Sequence, residues 1–296
     1  MRFVRSARKP FSRSRFLLCL TLAFSGGFGL PSPSRAGDDP EGLSHEKRAV
    51  QILKTTRGET FGIWGKKPDS PAPTLFILAT TIEGTLGDAY YRQCGNQLAE
   101  HGYLCVSIDL PGHGRAHRDG EPQGLLAWSR RAAEKEDFAT ETSARLTAVL
   151  DYLIEAGYSD PERVAACGTS RGGYLALQFA SHDHRVQCVA AFAPVTDLTA
   201  LREFRQQLTD PFVASLSLMA RTAELAGRAV WIVIGDQDER VGTDRAIAFA
   251  RQLTAASLKR KLPSRVELHV LPEPGGHTTP RGASQQAAKW IYRQLQ

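Results

Sequence analysis

Apolar residues in this chain come in short runs that alternate with longer stretches of helical spacing. Two runs come first, VQILKTT (50–56) and ETFGIWG (59–65), and Arg57-Gly58 between them reads as a hairpin turn. A Pro-rich segment, KKPDSPAP, closes this part. TLFILA (74–79) is then a near-continuous apolar run, and residues 88–102 carry helical spacing that ends at Gly102. The alternation repeats five more times. Strands are expected at 103–110, 163–168, 186–194, 229–235 and 265–271. Helices are expected at 138–156, 172–182, 243–258 and 281–296, with a helical stretch from 195 to about 226.

Strands that are apolar throughout must be covered on both faces, and intervening amphipathic helices supply the cover. The pattern therefore predicts an α/β fold with a mostly parallel sheet of about eight strands and an antiparallel N-terminal hairpin. One domain spanning 48–296 accounts for it. Extra material at 112–137 and 195–226 follows strands, where an open α/β sheet places its ligand.

The first residues are read apart from the fold. Six basic residues between Arg2 and Arg15 precede an apolar run, Phe16 to Phe24, and then Ser34-Arg35-Ala36. This three-part order is that of a secretory leader cut between Ala36 and Gly37. The apolar run is far shorter than the roughly 20 residues that span a bilayer, which disfavours a membrane anchor. An exported protein, periplasmic or extracellular, is expected, with 1–36 as leader and 37–47 as a flexible polar segment.

The leader changes the charge balance. The chain has 37 Lys and Arg against 31 Asp and Glu, but residues 1–36 hold seven of the basic residues and none of the acidic ones. The remainder carries 30 basic and 31 acidic residues, a net of −1. Nucleic-acid binding, which needs a basic surface, loses its support. Cys94, Cys105, Cys167 and Cys188 remain after cleavage, and export would permit disulfide pairing. Three of them sit inside apolar strand-like runs, where a cysteine is more often a small buried hydrophobe, and the sequence leaves the pairing open. No C-x-x-C spacing suggests a metal or redox site, and no cofactor is expected.

Chemistry concentrates in VAACGTSRGGYLAL (164–177). A strand leads into Gly168-Thr169-Ser170-Arg171-Gly172 and a helix leads out, the setting in which a G-x-S-x-G motif raises a serine on a tight turn. Gly168 and Gly172 remove side chains that would collide there. A serine hydroxyl becomes a nucleophile only when a base takes its proton and an acid orients that base. Both should follow later strands. WIVIGDQDERV offers Asp236 and Asp238, and ELHVLPEPGGHTTP offers His277. Among other histidines, His113 follows the fourth strand, His182 and His184 lie beyond the serine helix, and His269 lies within a strand. The developing oxyanion needs two donors. One is the Arg171 N–H at a helix start; the other is assigned to Thr81, ahead of Thr80, in LATTIEG. Nearby Glu83 would disfavour anionic substrates. The Arg171 guanidinium has two readings, contact with a substrate carboxylate or an ordinary solvated side chain.

These segments, with DLPGHG at 109–114, resemble the α/β-hydrolase family over residues 48–296. The glycine pair after Ser170 is most similar to the dienelactone-hydrolase and prolyl-oligopeptidase-like branch. The resemblance places the acid in a G-x-x-D-x-x-V stretch and so selects Asp238. It also implies a His-Gly dipeptide near the second oxyanion donor, which this chain lacks. The expected function is a serine hydrolase cleaving a small-molecule carboxylic ester through an acyl-enzyme. A peptidase and a non-catalytic binding protein are the alternatives, and the sequence assigns neither substrate identity nor oligomeric state.

Overall fold

The computed structural model describes residues 48–296; the expected leader and the segment 37–47 lie outside the described residues. β1 (Val50–Lys54) and β2 (Thr60–Trp64) form the hairpin, with Val50 opposite Trp64 and Lys54 opposite Thr60. β2 pairs antiparallel with β4 (Leu104–Ser107). All further pairings are parallel, through β3 (Ala72–Leu78), β5 (Ser159–Thr169), β6 (Val186–Phe192), β7 (Ala229–Gly235) and β8 (Val266–Leu271). The order across the eight-stranded sheet is β1-β2-β4-β3-β5-β6-β7-β8. This is the α/β architecture that the apolar pattern predicts.

The central strands alternate between two cores. Phe76, Leu78, Ala166, Val189 and Ile232 face one layer, which contains α4 (Leu125–Ala133), α5 (Phe138–Glu155), α6 (Arg171–His182) and α8 (Thr243–Lys259). Leu75, Ile77, Cys167, Ala190 and Trp231 face the other, with α1 (Ile82–Gly87), α3 (Gly95–Leu98) and α9 (Ala283–Gln294). Side chains alternate by the strand period of two, so each strand supplies both layers. Phe76 meets Phe179 edge-on at 5.2 Å and fixes α6 over β3. Burying each ring contributes about 1.5–3 kcal/mol.

Two expected helices are shaped differently. Residues 88–102 form not one helix but α2 (Ala89–Arg92), α3 and a 3₁₀ turn, because Gln93 stands at φ 48°, ψ −124°. Its buried amide donates to Thr169 Oγ1 at 3.1 Å and Thr279 Oγ1 at 2.9 Å, tertiary bonds that override helical propensity. The expected helical stretch 195–226 is a chain of short turns around α7 (Pro211–Ser215). Asp197, Asp210 and Ser217 each accept the N–H two residues on, which ends and restarts the backbone in turn conformations. Among the described residues no helix is long and apolar enough to cross a membrane.

Candidate active site

Parallel strands put their C-terminal ends on one edge of the sheet, and adjacent strand ends meet there. β3, β5, β7 and β8 deliver, respectively, the segments containing Thr81, Ser170, Asp238 and His277. Ser170 stands between β5 and α6 at φ 56°, ψ −115°, a conformation unfavourable for a residue with a Cβ. The tightness of the turn explains its glycines. A Cβ at Gly172 would stand 1.8 Å from Leu78 O, and one at Gly168 would stand 2.3 Å from the Gly172 carbonyl carbon.

Ser170 Oγ lies 2.9 Å from His277 Nε2, and His277 Nδ1 lies 2.7 Å from Asp238 Oδ2. The only complementary assignment has Nδ1–H donating to the carboxylate and the serine hydroxyl donating to Nε2. Asp238 is buried, and its other oxygen accepts the N–H groups of Arg240 at 3.0 Å and Val241 at 3.2 Å. The carboxylate is therefore fixed before it meets the imidazole. Asp236 does something else: its Oδ1 accepts the Glu273 N–H at 2.9 Å and ties the end of β7 to the His277 loop.

The other histidines lie apart from this relay. His113 donates from Nδ1 to Pro111 O at 3.0 Å, which leaves Nε2 to accept from Arg171 Nη1 at 2.8 Å. Burial, and secondarily the Arg171 charge, lowers its pKa, in keeping with a neutral ring. His182 and His184 are exposed at the far end of α6, and His269 stacks on Trp231 at 5.0 Å. Among the described residues no three His, Cys, Asp or Glu side chains converge as metal ligands. The four cysteines are buried free thiols, and burial pushes Cys105 up to about 12.

Two backbone donors flank the serine. Arg171 opens α6, so its N–H has no acceptor within the helix. On the β3 side, the Thr80 N–H is taken by Thr85 Oγ1 at 3.1 Å and the Ile82 N–H by Asp109 Oδ1 at 2.7 Å. The Thr81 N–H between them has no acceptor among the described residues. Asp109, from the DLPGHG segment, also accepts from Arg115 N at 2.9 Å and so braces the Thr81 loop. Asp109 and Gln93 are the two supporting residues that the sequence pattern did not single out. Asp109 lay inside the quoted DLPGHG segment without a role of its own, and Gln93, between Arg92 and Cys94, carried no signal in the sequence. Glu83 does not confront the site as an unpaired charge: Arg115 holds it at 2.6 Å and lowers its pKa.

A cleft of about 730 Å³ opens beside the serine, bounded by Thr81 and Arg171. Its outer wall includes Leu125 and Leu126 from the segment after β4, Arg202 from the segment after β6, and Arg240 from the loop after β7.

Residues 95–295 match the prolyl oligopeptidase family. A dipeptidyl-peptidase 5 of Porphyromonas endodontalis is 24% identical over 155 residues, 50% of this chain and 21% of that protein. The match spans about half or less of the length of the curated relatives. Among solved structures, TT1662 of Thermus thermophilus superposes with a TM-score of 0.61 at 20% identity, over 84% of this chain and 98% of that one. Acetyl xylan esterase 1 of Thermoanaerobacterium sp. JW/SL YS485 gives 0.55 at 17% identity, over 84% and 89%.

Proposed function

The chain belongs to the prolyl oligopeptidase family, and from that premise we propose that it is a serine hydrolase that cleaves a carboxylic ester through an acyl-enzyme. The observation that carries this reading is the continuous relay from buried Asp238 through His277 to the strained hydroxyl of Ser170. His277 Nε2 takes the hydroxyl proton as Oγ attacks the ester carbonyl. Asp238 holds the imidazole in the required tautomer and stabilises the imidazolium that forms. The Arg171 and Thr81 N–H groups receive the oxyanion, whose charge is best stabilised by donors already in place. The alcohol leaves with the proton from His277. Water, activated by the same imidazole, then releases the acid and restores Ser170.

An ester is favoured over a peptide because the acetyl xylan esterase superposes over nearly its whole length, whereas the dipeptidyl-peptidase is matched over a fifth of its own. Side-by-side turnover of 4-nitrophenyl butyrate and dipeptidyl 4-nitroanilides tests the choice. Ester turnover that vanishes in Ser170→Ala, together with loss of fluorophosphonate labelling, is expected. Labelling retained in Ser170→Ala excludes Ser170 as the nucleophile, and faster amide than ester turnover reverses the substrate class. Export is part of the same reading. Mass spectrometry of protein from its native host should give a chain starting at Gly37, and an intact N-terminus would refute it.

A further inference from the structure

The cleft beside Ser170 has a charge imbalance that the hydrolytic reading leaves unused. Arg171, Arg202 and Arg240 line it, with Glu203 as the single acid among its lining residues. Glu203 is committed elsewhere: both of its oxygens accept from Arg240 Nη2, at 2.8 and 2.9 Å. Arg202 is 85% exposed and stands 3.5 Å from the same carboxylate. Arg171 is different. It is half-buried, and among the described residues its one hydrogen-bond partner is the neutral His113 ring, which holds Nη1 in place without cancelling its charge. A planar guanidinium held this way, with no carboxylate in ion-pair contact among the described residues, is suited to a ligand carboxylate.

Position relative to the reaction says which part of a substrate would reach it. The alcohol departs toward His277, which protonates it. The cleft is bounded by Thr81 and Arg171 and does not include His277 among its walls. An acyl chain directed away from His277 is the part of the substrate that this cleft, which reaches Thr81 and Arg171, would take. Leu125 and the 54% exposed Leu126 give its methylene groups an apolar surface.

We propose that this cleft is a subsite for an anionic acyl group, so that the substrate is the hemi-ester of a short dicarboxylic acid whose free carboxylate is held by the Arg171 guanidinium. The inference rests on the ester-hydrolase reading above. Attack by Ser170 Oγ forms the hemi-acyl ester and expels the alcohol, and water then releases the dicarboxylic acid. The guanidinium takes no part in bond making. It is a specificity determinant.

The test compares monoethyl succinate, glutarate and adipate with the uncharged ethyl butanoate, pentanoate and hexanoate by proton release at constant pH. In the wild-type protein at least one hemi-ester should exceed its neutral counterpart at least tenfold in kcat/KM. That preference should fall tenfold or more in Arg171→Gln and shrink in 0.5 M salt. Neutral esters preferred by the wild type, or a hemi-ester preference that survives Arg171→Gln, overturns the proposal while leaving ester hydrolysis intact. Binding provides a separate arm that needs no turnover. Glutarate, but not uncharged glutaramide, should raise the melting temperature of Ser170→Ala protein. No shift with glutarate would overturn the subsite whether or not the variant at Arg171 folds. A glutarate shift in a protein that hydrolyses no ester would instead refute the hydrolase reading and keep the anion site.

Discussion

Gly172→Ala is the most direct physical test of the serine turn. A methyl group there would stand 1.8 Å from Leu78 O, 2.3 Å from Leu78 C and 2.9 Å from Ala79 N. Ordinary contacts between such atoms begin near about 3.5 Å, so more than an ångström of separation must be created. None of the three obstacles is the tip of a flexible side chain. They are the backbone at the end of β3, and Leu78 is held in register opposite Gly168 of β5. Overpacking a core typically costs about 1–3 kcal/mol, and rigid backbone puts this site at the upper end. For a domain of this size about 3 kcal/mol corresponds to a fall of roughly 6–12 °C in melting temperature. Activity should suffer separately. Thr81, whose N–H we propose as an oxyanion donor, lies three residues beyond Leu78, and misplacing such a donor by about 1 Å can cost roughly 10²-fold. Circular-dichroism melting together with the rate of fluorophosphonate labelling reads both effects. Gly87→Ala is the matched control: a Cβ there meets nothing within 4 Å and the residue lacks a positive φ, so about 0.4–1 kcal/mol of stabilisation is expected. A Gly172→Ala protein with wild-type melting temperature and labelling rate would refute the reasoning.

Three further outcomes follow from the site's surroundings. Asp238→Asn should lower kcat by about 10⁴-fold, because an amide does not enforce the required imidazole tautomer; Asp236→Asn should leave kcat within a few-fold, and steady-state kinetics showing the reverse order would reassign the acid. Gln93→Ala removes the amide that joins Thr169 and Thr279, the second being two residues beyond His277. Its kcat should fall about tenfold or more with KM little changed, and a fall confined to KM would show that Gln93 does not position the His277 loop. Burial raises the pKa of Cys105, Cys167 and Cys188, so these thiols stay protonated at pH 8 and should react with a disulfide reagent only after denaturation; rapid labelling of the native protein would contradict their burial.

The fold was readable because its strands advertise themselves. Runs such as AVWIVIG have no polar face, and only a doubly covered sheet accepts them. Ser170 and His277 were readable from glycine turns placed after strands. The choice of Asp238 over Asp236 was not a matter of composition, since the residues are two apart and chemically identical. Resemblance selected one, and the structure shows why they differ: one carboxylate is buried against His277, and the other accepts Glu273 N–H at the surface. What the pattern misjudged lies where tertiary bonds overrule local preference. Gln93 reads as a good helix residue, yet its amide is drawn to Thr169 and Thr279, on distant parts of the chain, and the helix breaks. Residues 195–226 contain helix formers interrupted by Asp197, Asp210 and Ser217, whose side chains compete for backbone N–H groups. A periodicity count weighs the formers and overlooks the competitors.

The strain at Ser170 is maintained by its neighbours in the sheet rather than by its own turn. Its N–H donates to Phe192 O at 2.8 Å, and its carbonyl accepts from Tyr174 at 3.1 Å and Val195 at 3.2 Å. The adjoining β6 end carries a second non-glycine residue at positive φ, Ala193 at 41°, whose N–H donates to Val233 O of β7 at 2.7 Å. Each unfavourable conformation is thus bonded to the next strand, and the chain of bonds runs from β5 to β7, the strand that ends at the Asp238 loop. Holding such a residue costs about 1–3 kcal/mol, which the packed centre of the sheet offsets. Glycines 168 and 172 serve a narrower purpose. They let the backbones approach, while the strand ends set the angle at which the hydroxyl stands. The position of Ser170 Oγ relative to His277 is therefore a property of four neighbouring strands, and substitutions in β6 or β7 that shift their ends should disturb the relay even though they touch none of its three residues.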